Sequence, residues 1–209
     1  MEVRDYIINE ADKLFCQYGF KSVTMDDIAK QLGVSKKTIY QHFKDKNDLV
    51  NVLMDARYDN HNCEMKLYAE QGIDAIQEVL LALADVNEWL TTLSPKLFHD
   101  LQKYHHVAWL KFKQFKEESL SIVIANNLKR GIKEGVYRSD INLQVLTELR
   151  LAHSQLILTG YDQYAKNKFS IAQVMIEVTQ HFLFGIVSDK GRELLEKYNQ
   201  QHKDEQLIK

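Results

Sequence analysis

Residues 24–46 read TMDDIAKQLGVSKKTIYQHFKDK, and this stretch decides the fold. Thr24 is followed three residues later by Asp27, an acidic form of the capping box that opens a helix. The apolar positions of that helix end before Gly33, which can adopt the left-handed conformation of a tight turn. Ser35 then caps a second helix. We therefore expect two short helices joined by a tight turn, over residues 25–32 and 36–43.

A longer helix precedes this pair and braces it. Its apolar residues recur at the spacing of one helical stripe, and Gly19 supplies the stop. These residues are Ile7, Ile8, Ala11, Leu14, Phe15 and Tyr18. The small Ala29 allows the two short helices to cross closely, and Ile39 closes their core. A braced pair of short helices is the helix-turn-helix arrangement, in which the second short helix presents its polar face to a DNA major groove.

The same stretch resembles the signature of the tetracycline-repressor (TetR/AcrR) family of bacterial regulators almost position for position. The motif covers the first quarter of the chain, while the rest matches the family in architecture. Lys37 departs from the pattern, since many members have glycine there, and it adds a charge at the groove. The resemblance implies an all-α, dimeric regulator of transcription, a repressor that binds a palindromic operator and is released by a ligand in its larger domain.

The polar face of the second short helix is the predicted DNA-binding surface. Residues 30–46 contain five lysines and one aspartate, a local charge of +4. A solvated helical face is the alternative, but these charges lie on the free side of a helix-turn-helix. We expect base-edge contacts from Lys36, Lys37, Thr38 and Gln41, and phosphate contacts from Thr24, Tyr40, His42 and Lys46. The family resemblance supports Tyr40, His42 and Lys46 most directly.

Composition also favours a helical chain. The 209 residues include one proline and eight glycines, too few for the turns of sandwiches, barrels or glycine-rich phosphate loops. With 27 basic and 29 acidic side chains, the net charge of −2 excludes a protein that coats nucleic acid by bulk attraction. The charged N-terminus has no apolar signal core, and the longest apolar run, residues 79–84, is too short to span a bilayer. We therefore expect an all-α protein of the cytoplasm.

The rest of the chain predicts further helices and a second domain. Ser94 should cap a short helix that begins at Pro95, since proline is favoured at the first helical position. Apolar periodicity and caps indicate the longer helices over residues 46–68, 74–93, 106–133, 142–166, 171–187 and 192–198. We divide the chain into a DNA-binding domain, residues 1–47, and a larger ligand-binding and dimerisation domain, residues 48–209.

The last two long helices are the predicted homodimer interface. Both carry apolar residues on more than one face, whereas a helix packed only against its own domain needs one stripe. These residues are Leu146, Leu149, Leu151, Ala152, Leu156, Ile157 and Leu158, and Val174, Met175, Ile176, Val178, Phe182, Leu183, Ile186 and Val187. Burial of both helices inside the monomer is the alternative. Pairing would place two recognition helices about one DNA turn apart, roughly 34 Å or a multiple, which predicts a palindromic operator.

Aromatic residues in the middle helices predict a small-molecule pocket. The candidate lining consists of Trp89, Phe98, Tyr104, His105, Trp109, Phe112 and Phe115 with the polar His153 and Gln155. A mainly aromatic lining with few polar groups is typical of sites for hydrophobic or amphipathic ligands. Ordinary core packing of these rings is the alternative. We expect a small hydrophobic or amphipathic effector.

The sequence indicates no catalytic or metal site. Two groups of candidate ligands, around His61 and around His105, lack the spacing of zinc sites. A nucleophile elbow, paired carboxylates and a phosphate loop are also missing, so we expect neither an enzyme nor a bound cofactor. Two other functions stay open: a helix-turn-helix protein of fixed architectural or interaction role without an effector, and a helical-bundle enzyme.

Overall fold

The computed structural model describes residues 2–92, 94, 96–159 and 168–207, without the side chains of residues 88, 89, 92 and 202–207. In these ranges the chain is helical, and its one β feature is an isolated bridge between Tyr137 and Val187. The helices are α1 (Val3–Tyr18), α2 (Met25–Leu32), α3 (Lys36–Tyr40), α4 (Lys46–Gln71), α5 (Ala75–Thr92), α6 (Leu97–Tyr104), α7 (His106–Phe115), a π-helical segment (Lys116–Leu120), α8 (Ser121–Lys133), α9 (Leu143–Thr159), α10 (Ile171–Ile186) and α11 (Asp189–Leu207). The all-α prediction is confirmed.

Helices α1 to α3 and the first turns of α4 pack into one small unit. Its centre is filled by side chains that solvent does not reach, namely Phe15, Ile28, Ile39 and Leu49. Helix α3 ends at Tyr40, three residues earlier than predicted. The amides of His42 and Phe43 both donate to the carbonyl of Ile39 at 3.0 Å, which closes the helix as a tight turn. Phe43 is nevertheless buried, as expected.

The apolar core of this unit continues into the rest of the molecule. Leu97, Phe98 and Leu101 of α6 belong to the same buried cluster, and so does Met175 of α10. Helix α4 runs unbroken from Lys46, so the predicted boundary between residues 47 and 48 falls in its first turn. The division into two domains stays a prediction.

A second buried cluster joins α5, α8, α10 and α11. Tyr137 lies at its centre, where its hydroxyl donates to the carbonyl of Ala75 at 3.1 Å and lies 3.0 Å from Oδ1 of Asn127. The ring of Tyr137 packs directly on Gly131, so a Cβ at this position would clash with the ring. Gly131 therefore provides a close approach for this ring within α8.

The predicted helix over residues 106–133 is present but changes geometry in its middle. Residues Lys116–Leu120 form a π-helical turn, which is wider than an α-helical turn and changes which residues share a face. The last helix, α11, is longer than the predicted 192–198. Helix α9 is described to Thr159, and the remainder of the predicted 142–166 helix lies outside the described residues, as does Pro95. Within the described chain, every helix is too short or too polar to cross a membrane.

The two predicted dimer helices differ in how the monomer uses them. On α10, Met175, Phe182, Leu183 and Ile186 are buried within the monomer. On α9, an exposed stripe consists of Val145, Leu149, Ala152 and Leu156, of which Val145 and Leu156 are 59% and 57% exposed. Much of the apolar surface of α10 is therefore explained by the monomer itself, whereas the stripe on α9 is not.

Candidate functional site

Two caps and one left-handed glycine hold the α2–turn–α3 segment. The Thr24 hydroxyl accepts the amide hydrogen of Asp27 at 3.1 Å, and the Asp27 carboxylate accepts the amide hydrogen of Thr24 at 2.8 Å. Gly33 ends α2 with φ of 66°, in the region that favours glycine. Ser35 Oγ accepts the amide hydrogen of Thr38 at 3.1 Å and starts α3. The predicted caps and turn are confirmed, and they fix the direction of α3 relative to α2.

The side of α3 that faces away from the core is polar. Ile39 is fully buried, and this fixes the rotation of the helix about its axis. Five residues of the helix and the following turn are exposed: Lys36, Lys37, Tyr40, Gln41 and His42. Thr38 is half-buried, and its hydroxyl lies 2.8 Å from that of Ser35. The exposed residues form one continuous surface of donors and acceptors that a nucleic-acid groove could contact.

The segment that joins α6 to α7 contacts the small N-terminal unit. Asp100 of α6 accepts the amide hydrogen of Lys21 at 2.9 Å. His105, between the two helices, donates from Nδ1 to Oδ1 of Asn47 at 2.7 Å, and its ring centre lies 5.5 Å from that of Phe20. Both Asp100 and His105 are buried. This segment is therefore attached to the end of α1 and to the start of α4.

A cavity of about 720 Å³ lies among α4, α5, the α6–α7 pair, α8, α9 and α10. Aromatic side chains on its lining are Tyr58, Tyr68, Phe98, Phe112, Phe115 and Phe182. The rings of Tyr58 and Phe115 stack with centres 4.8 Å apart. This volume lies within the range of small-molecule sites, and an aromatic lining favours an apolar ligand body.

The family model for bacterial regulatory proteins of the tetR family matches residues 7–53. The chain is 27% identical to the HTH-type transcriptional regulator YvaF of Bacillus subtilis, over 88% of this chain and 95% of that protein. It is 30% identical to a second regulator of that organism, YhgD, over 69% of this chain and 78% of that protein. The chain belongs to the TetR family. It is a DNA-binding transcriptional regulator.

The TetR-family fold extends over nearly the whole chain. A TetR-family regulator from Agrobacterium tumefaciens superimposes with a TM-score of 0.73, although only 18% of the aligned residues are identical. This match covers 88% of this chain and 97% of that one. The larger helical part therefore shares the family architecture, as its resemblance implies.

Besides Thr38, three of the predicted DNA-contacting residues of this TetR-family chain are engaged within the protein. Lys36 Nζ donates to Asp26 at 2.9 Å, and this hydrogen bond raises the pKa of Lys36. The Thr24 hydroxyl donates to Asp27 at 2.6 Å in addition to its capping bond. Lys46 is half-buried, and burial lowers its pKa. Lys37, Tyr40, Gln41 and His42 are the predicted contacts that are exposed without such a bond among the described residues.

Arg4 is a basic residue near this surface that the sequence analysis did not single out. It is exposed at the start of α1, and its guanidinium carbon lies 5.5 Å from the ring centre of Phe43, just after α3. Because Arg4 lies twenty residues before the motif, no local spacing signals its proximity to α3. Only the packing of α1 brings it there.

The cavity of the TetR-family fold contains some of the predicted ligand-contacting residues and not others. Phe98, Phe112, Phe115 and Gln155 lie on its lining. Four residues lie elsewhere: Tyr104, His105, Trp109 and His153. The side chain of Trp89 lies outside the described residues. These four residues do not line this cavity, and a role for them in ligand binding stays a prediction.

Each of the four residues outside the lining has a different position in the packing. Tyr104 is exposed next to Lys21, and His105 joins α6 to the N-terminal unit. Trp109 packs behind the lining, with its ring centre 5.3 Å from that of Phe112. His153 is rotated away because α9 presents Arg150, Ser154 and Leu158, four residues apart, to the cavity instead.

The charged side chains on the lining include several that the sequence analysis missed. Arg57 forms an ion pair with Asp12, Glu78 forms one with Arg130 at 2.9 Å, and Lys116 of the π-helical segment donates to Gln155. No sequence motif marks these positions, since they lie on different helices and meet only in the folded chain.

Arg150 and Tyr58 line the cavity, and each has a buried polar atom without a hydrogen-bond partner in the described chain. One terminal nitrogen of Arg150 donates to Thr179 Oγ1 at 2.8 Å, but the other, Nη1, has no partner. Burial lowers the pKa of Arg150 to about 10, so the guanidinium stays charged at neutral pH. The Tyr58 hydroxyl is likewise buried without a partner, and burial raises its pKa.

The described residues contain no group of three or more His, Cys, Asp and Glu side chains placed to hold a metal ion. His61, one of the candidate metal ligands, lies 4.0 Å from Glu64 on one turn of α4. Burial lowers the pKa of His61, and burial together with the nearby Asp85 raises the pKa of Glu64. Two such groups on a cavity wall are consistent with the lining of a ligand site.

Proposed function

We propose that the chain acts as a dimeric repressor in the cytoplasm, without enzymatic activity, and that a small hydrophobic or amphipathic molecule in the cavity releases it from a palindromic operator. The observation that carries this proposal is the position of α6. Phe98 of this helix lines the cavity, and Asp100, two residues later, bonds to the N-terminal unit. A ligand that displaces Phe98 would therefore also move the contact that orients the DNA-binding surface.

The proposed DNA contacts fall into two groups. Lys36, Lys37, Thr38 and Gln41 would address base edges, while Thr24, Tyr40, His42 and Lys46 would bond phosphates. The exposure of Lys37, Tyr40, Gln41 and His42 supports this assignment. Lys36 would exchange its bond to Asp26 for a bond to DNA, which offers the ammonium a stronger negative field. Residues 1–47 would form the DNA-binding domain and residues 48–209 the ligand-binding and dimerisation domain.

Dimerisation through α9 and α10 is supported by the exposed stripe on α9. Its members, Val145, Leu149, Ala152 and Leu156, are spaced four, three and four residues apart, which places them on one face of the helix. Ile176 and Phe184 of α10 are half-exposed and would extend this surface. Contact of the stripe with its symmetry-related copy would remove these apolar groups from water.

Selection of bound DNA from a random library tests the proposed operator. We expect the recovered sequences to contain an inverted repeat whose half-sites are about one or two helical turns apart. Recovery of a single unpaired half-site would contradict the dimeric arrangement. Fluorescence anisotropy of the selected operator then gives its affinity for the protein.

Release by ligand is tested with compounds that bind the unmodified protein. A panel of hydrophobic cations, acyl compounds and aromatic acids is first screened for an increase in melting temperature. Each compound that binds should weaken operator affinity when present at saturation. Equal operator affinity with and without every bound compound would contradict the proposal and would favour a fixed architectural role.

A further inference from the structure

Arg150 is a half-buried cation of the cavity lining whose Nη1 is buried and whose charge no carboxylate of the described chain neutralises. It lies on α9 and lines the cavity, with its guanidinium carbon 5.5 Å from the ring centre of Phe182. One terminal nitrogen donates to Thr179, but Nη1 is buried without a partner. A buried charge with an unsatisfied donor is unfavourable, because the fold provides neither hydration nor a counter-charge in place of water.

The groups around Arg150 add no negative charge. Thr179 and Phe182 are neutral, and the titratable groups that interact with Arg150 are His153 and Tyr137, whose hydroxyl stays protonated at neutral pH because burial raises its pKa. Nδ1 of His153 is itself buried without a partner. Of the other lining cations, Arg57 is paired with Asp12, whereas Lys116 is half-buried and donates to the neutral Gln155. The charge of Arg150 therefore has no compensating anion among the described residues.

We propose that the cavity binds an amphiphilic carboxylate, whose anionic head pairs with Arg150 and whose apolar body lies among the aromatic rings. A carboxylate matches the planar guanidinium and would occupy the unused donors of Nη1. The volume of about 720 Å³ and the rings of Phe98, Phe112 and Phe115 accommodate the apolar body. This inference rests on the proposed function of the cavity as a ligand site.

The acidic residues on the lining favour a bound cation less strongly than Arg150 favours a bound anion. Asp85 is exposed, and the side chain of Glu64 is 44% exposed. Water therefore reaches both carboxylates, although partial burial and the nearby Asp85 raise the pKa of Glu64. Glu78 is buried but already pairs with Arg130. The charge that lacks compensation is positive, so the head group that it selects is negative.

Three probes with the same alkyl chain test the sign of the head group. Dodecanoate, dodecanol and dodecyltrimethylammonium are titrated into the full-length protein by calorimetry at neutral pH, below their micellar concentrations. We expect dodecanoate to bind about tenfold or more tightly than dodecanol, and the ammonium compound to bind most weakly. The shorter decanoate and the longer hexadecanoate, each with its alcohol, extend the comparison to other chain lengths.

The Arg150→Gln variant identifies the residue responsible. Dodecanoate should bind it about as weakly as dodecanol does, while dodecanol binding stays close to that of the wild type. Arg138→Gln is the matched control, because Arg138 is exposed outside the cavity and its loss should leave the dodecanoate preference intact. Arg150→Met provides a second test, since removal of an uncompensated buried charge should raise the melting temperature of the unliganded protein while abolishing the preference.

The outcomes separate this inference from the proposed function. Equal binding of dodecanoate and dodecanol, or tightest binding of the ammonium compound, would overturn the carboxylate assignment and leave the cavity as a ligand site. A dodecanoate preference that survives in Arg150→Gln would also overturn it. If none of the probes binds, the carboxylate assignment is wrong, and the ligand-release assay with the wider panel then decides separately on the proposed function.

Discussion

Lys36 and Asp26 form an ion pair at the edge of the proposed DNA-binding surface, with Nζ and the carboxylate 2.9 Å apart. Lys37, the next residue, is exposed and has no such partner among the described residues. The two lysines therefore start from different states when DNA approaches. Lys36 must first leave a carboxylate that competes with the phosphates for its charge.

Replacement of Asp26 tests whether this ion pair opposes DNA binding. Asp26→Asn removes the competing charge, and we expect operator affinity to rise by about two- to fivefold at low salt and by less at high salt. Fluorescence anisotropy at several salt concentrations measures the effect. Asp59→Asn is the control, because Asp59 is exposed on α4 outside the helix-turn-helix. An equal gain in both variants would show that net charge alone, and not the freed Lys36, causes it.

The capping box makes the stability of the protein depend on the ionisation of Asp27. The hydroxyl and the amide of Thr24 both donate to its carboxylate, and they lower its pKa below the ordinary value. A group with a lowered pKa in the fold stabilises the fold above its ordinary pKa, and this stability is lost as the pH falls through the lowered value. The contribution is therefore fully present at neutral pH.

At neutral pH, Asp27→Asn should unfold at a lower urea concentration than the wild type. This difference should decrease as the pH falls below the ordinary pKa of aspartate. Urea titrations at a series of pH values measure it. Asp26→Asn removes the same charge from the same helical turn without breaking the box, so it should show a smaller loss. A difference that stays constant down to acid pH would contradict the argument.

At the scale of the elements, the burial of His105 between α4 and the α6–α7 segment makes the stability of the fold depend on pH. Burial lowers the pKa of His105, the nearby Lys46 lowers it further, and Asp100 acts in the opposite direction. Protonation of His105 is less favourable in the folded protein than in the unfolded chain. The contribution of neutral His105 to stability is therefore fully present above the ordinary histidine pKa, and it is lost as the pH falls through the lowered pKa of the folded protein. The Nδ1 hydrogen bond to Asn47 is part of this contact.

The His105→Asn variant retains a side-chain hydrogen-bonding group at this position but cannot be protonated. We expect the wild type to lose more stability than the variant between neutral pH and pH values below the ordinary histidine pKa. Chemical unfolding across this range measures the difference. His106→Asn, at an exposed neighbouring position, should retain the wild-type profile. Identical pH profiles for His105→Asn and the wild type would exclude His105 as a source of the dependence.

At the scale of the whole molecule, the exposed apolar stripe on α9 is the surface that we expect to form the dimer interface. Leu149 and Leu156 belong to this stripe and are 42% and 57% exposed in the monomer. A charge at either position would have to be buried without a partner in the proposed dimer, while it would be hydrated in the monomer.

Leu149→Glu and Leu156→Glu should therefore give monomers in sedimentation experiments. Binding to an operator with two half-sites should weaken by about 100-fold, because the two DNA-binding units that contact the half-sites are no longer linked. Leu67→Glu is the control, since Leu67 is 46% exposed on α4 and lies outside the stripe. An unchanged sedimentation coefficient in both stripe variants would rule out this face as the dimer interface.

The sequence by itself determined the helix-turn-helix, its caps and its turn, because these depend on residues that are three or four positions apart. Thr24 with Asp27, Gly33, and Ser35 with Thr38 each act within one turn of chain, so their roles follow from spacing alone. The periodicity of apolar residues likewise indicated nearly all the helices. Their ends were less accurate at α3 and α11, where local turn geometry and polar composition gave weaker signals.

Only the tertiary structure decided the residues of the cavity, because they come from helices far apart in the chain. Aromatic composition indicated Phe98 and Phe112 but also Trp109, which packs behind the lining, and His105, which holds α4. It did not indicate Arg150, since a charged residue on a helix looks like an ordinary surface residue until its neighbours are known. Which side chains face a cavity depends on how helices rotate against one another, and that rotation is set by packing rather than by local spacing.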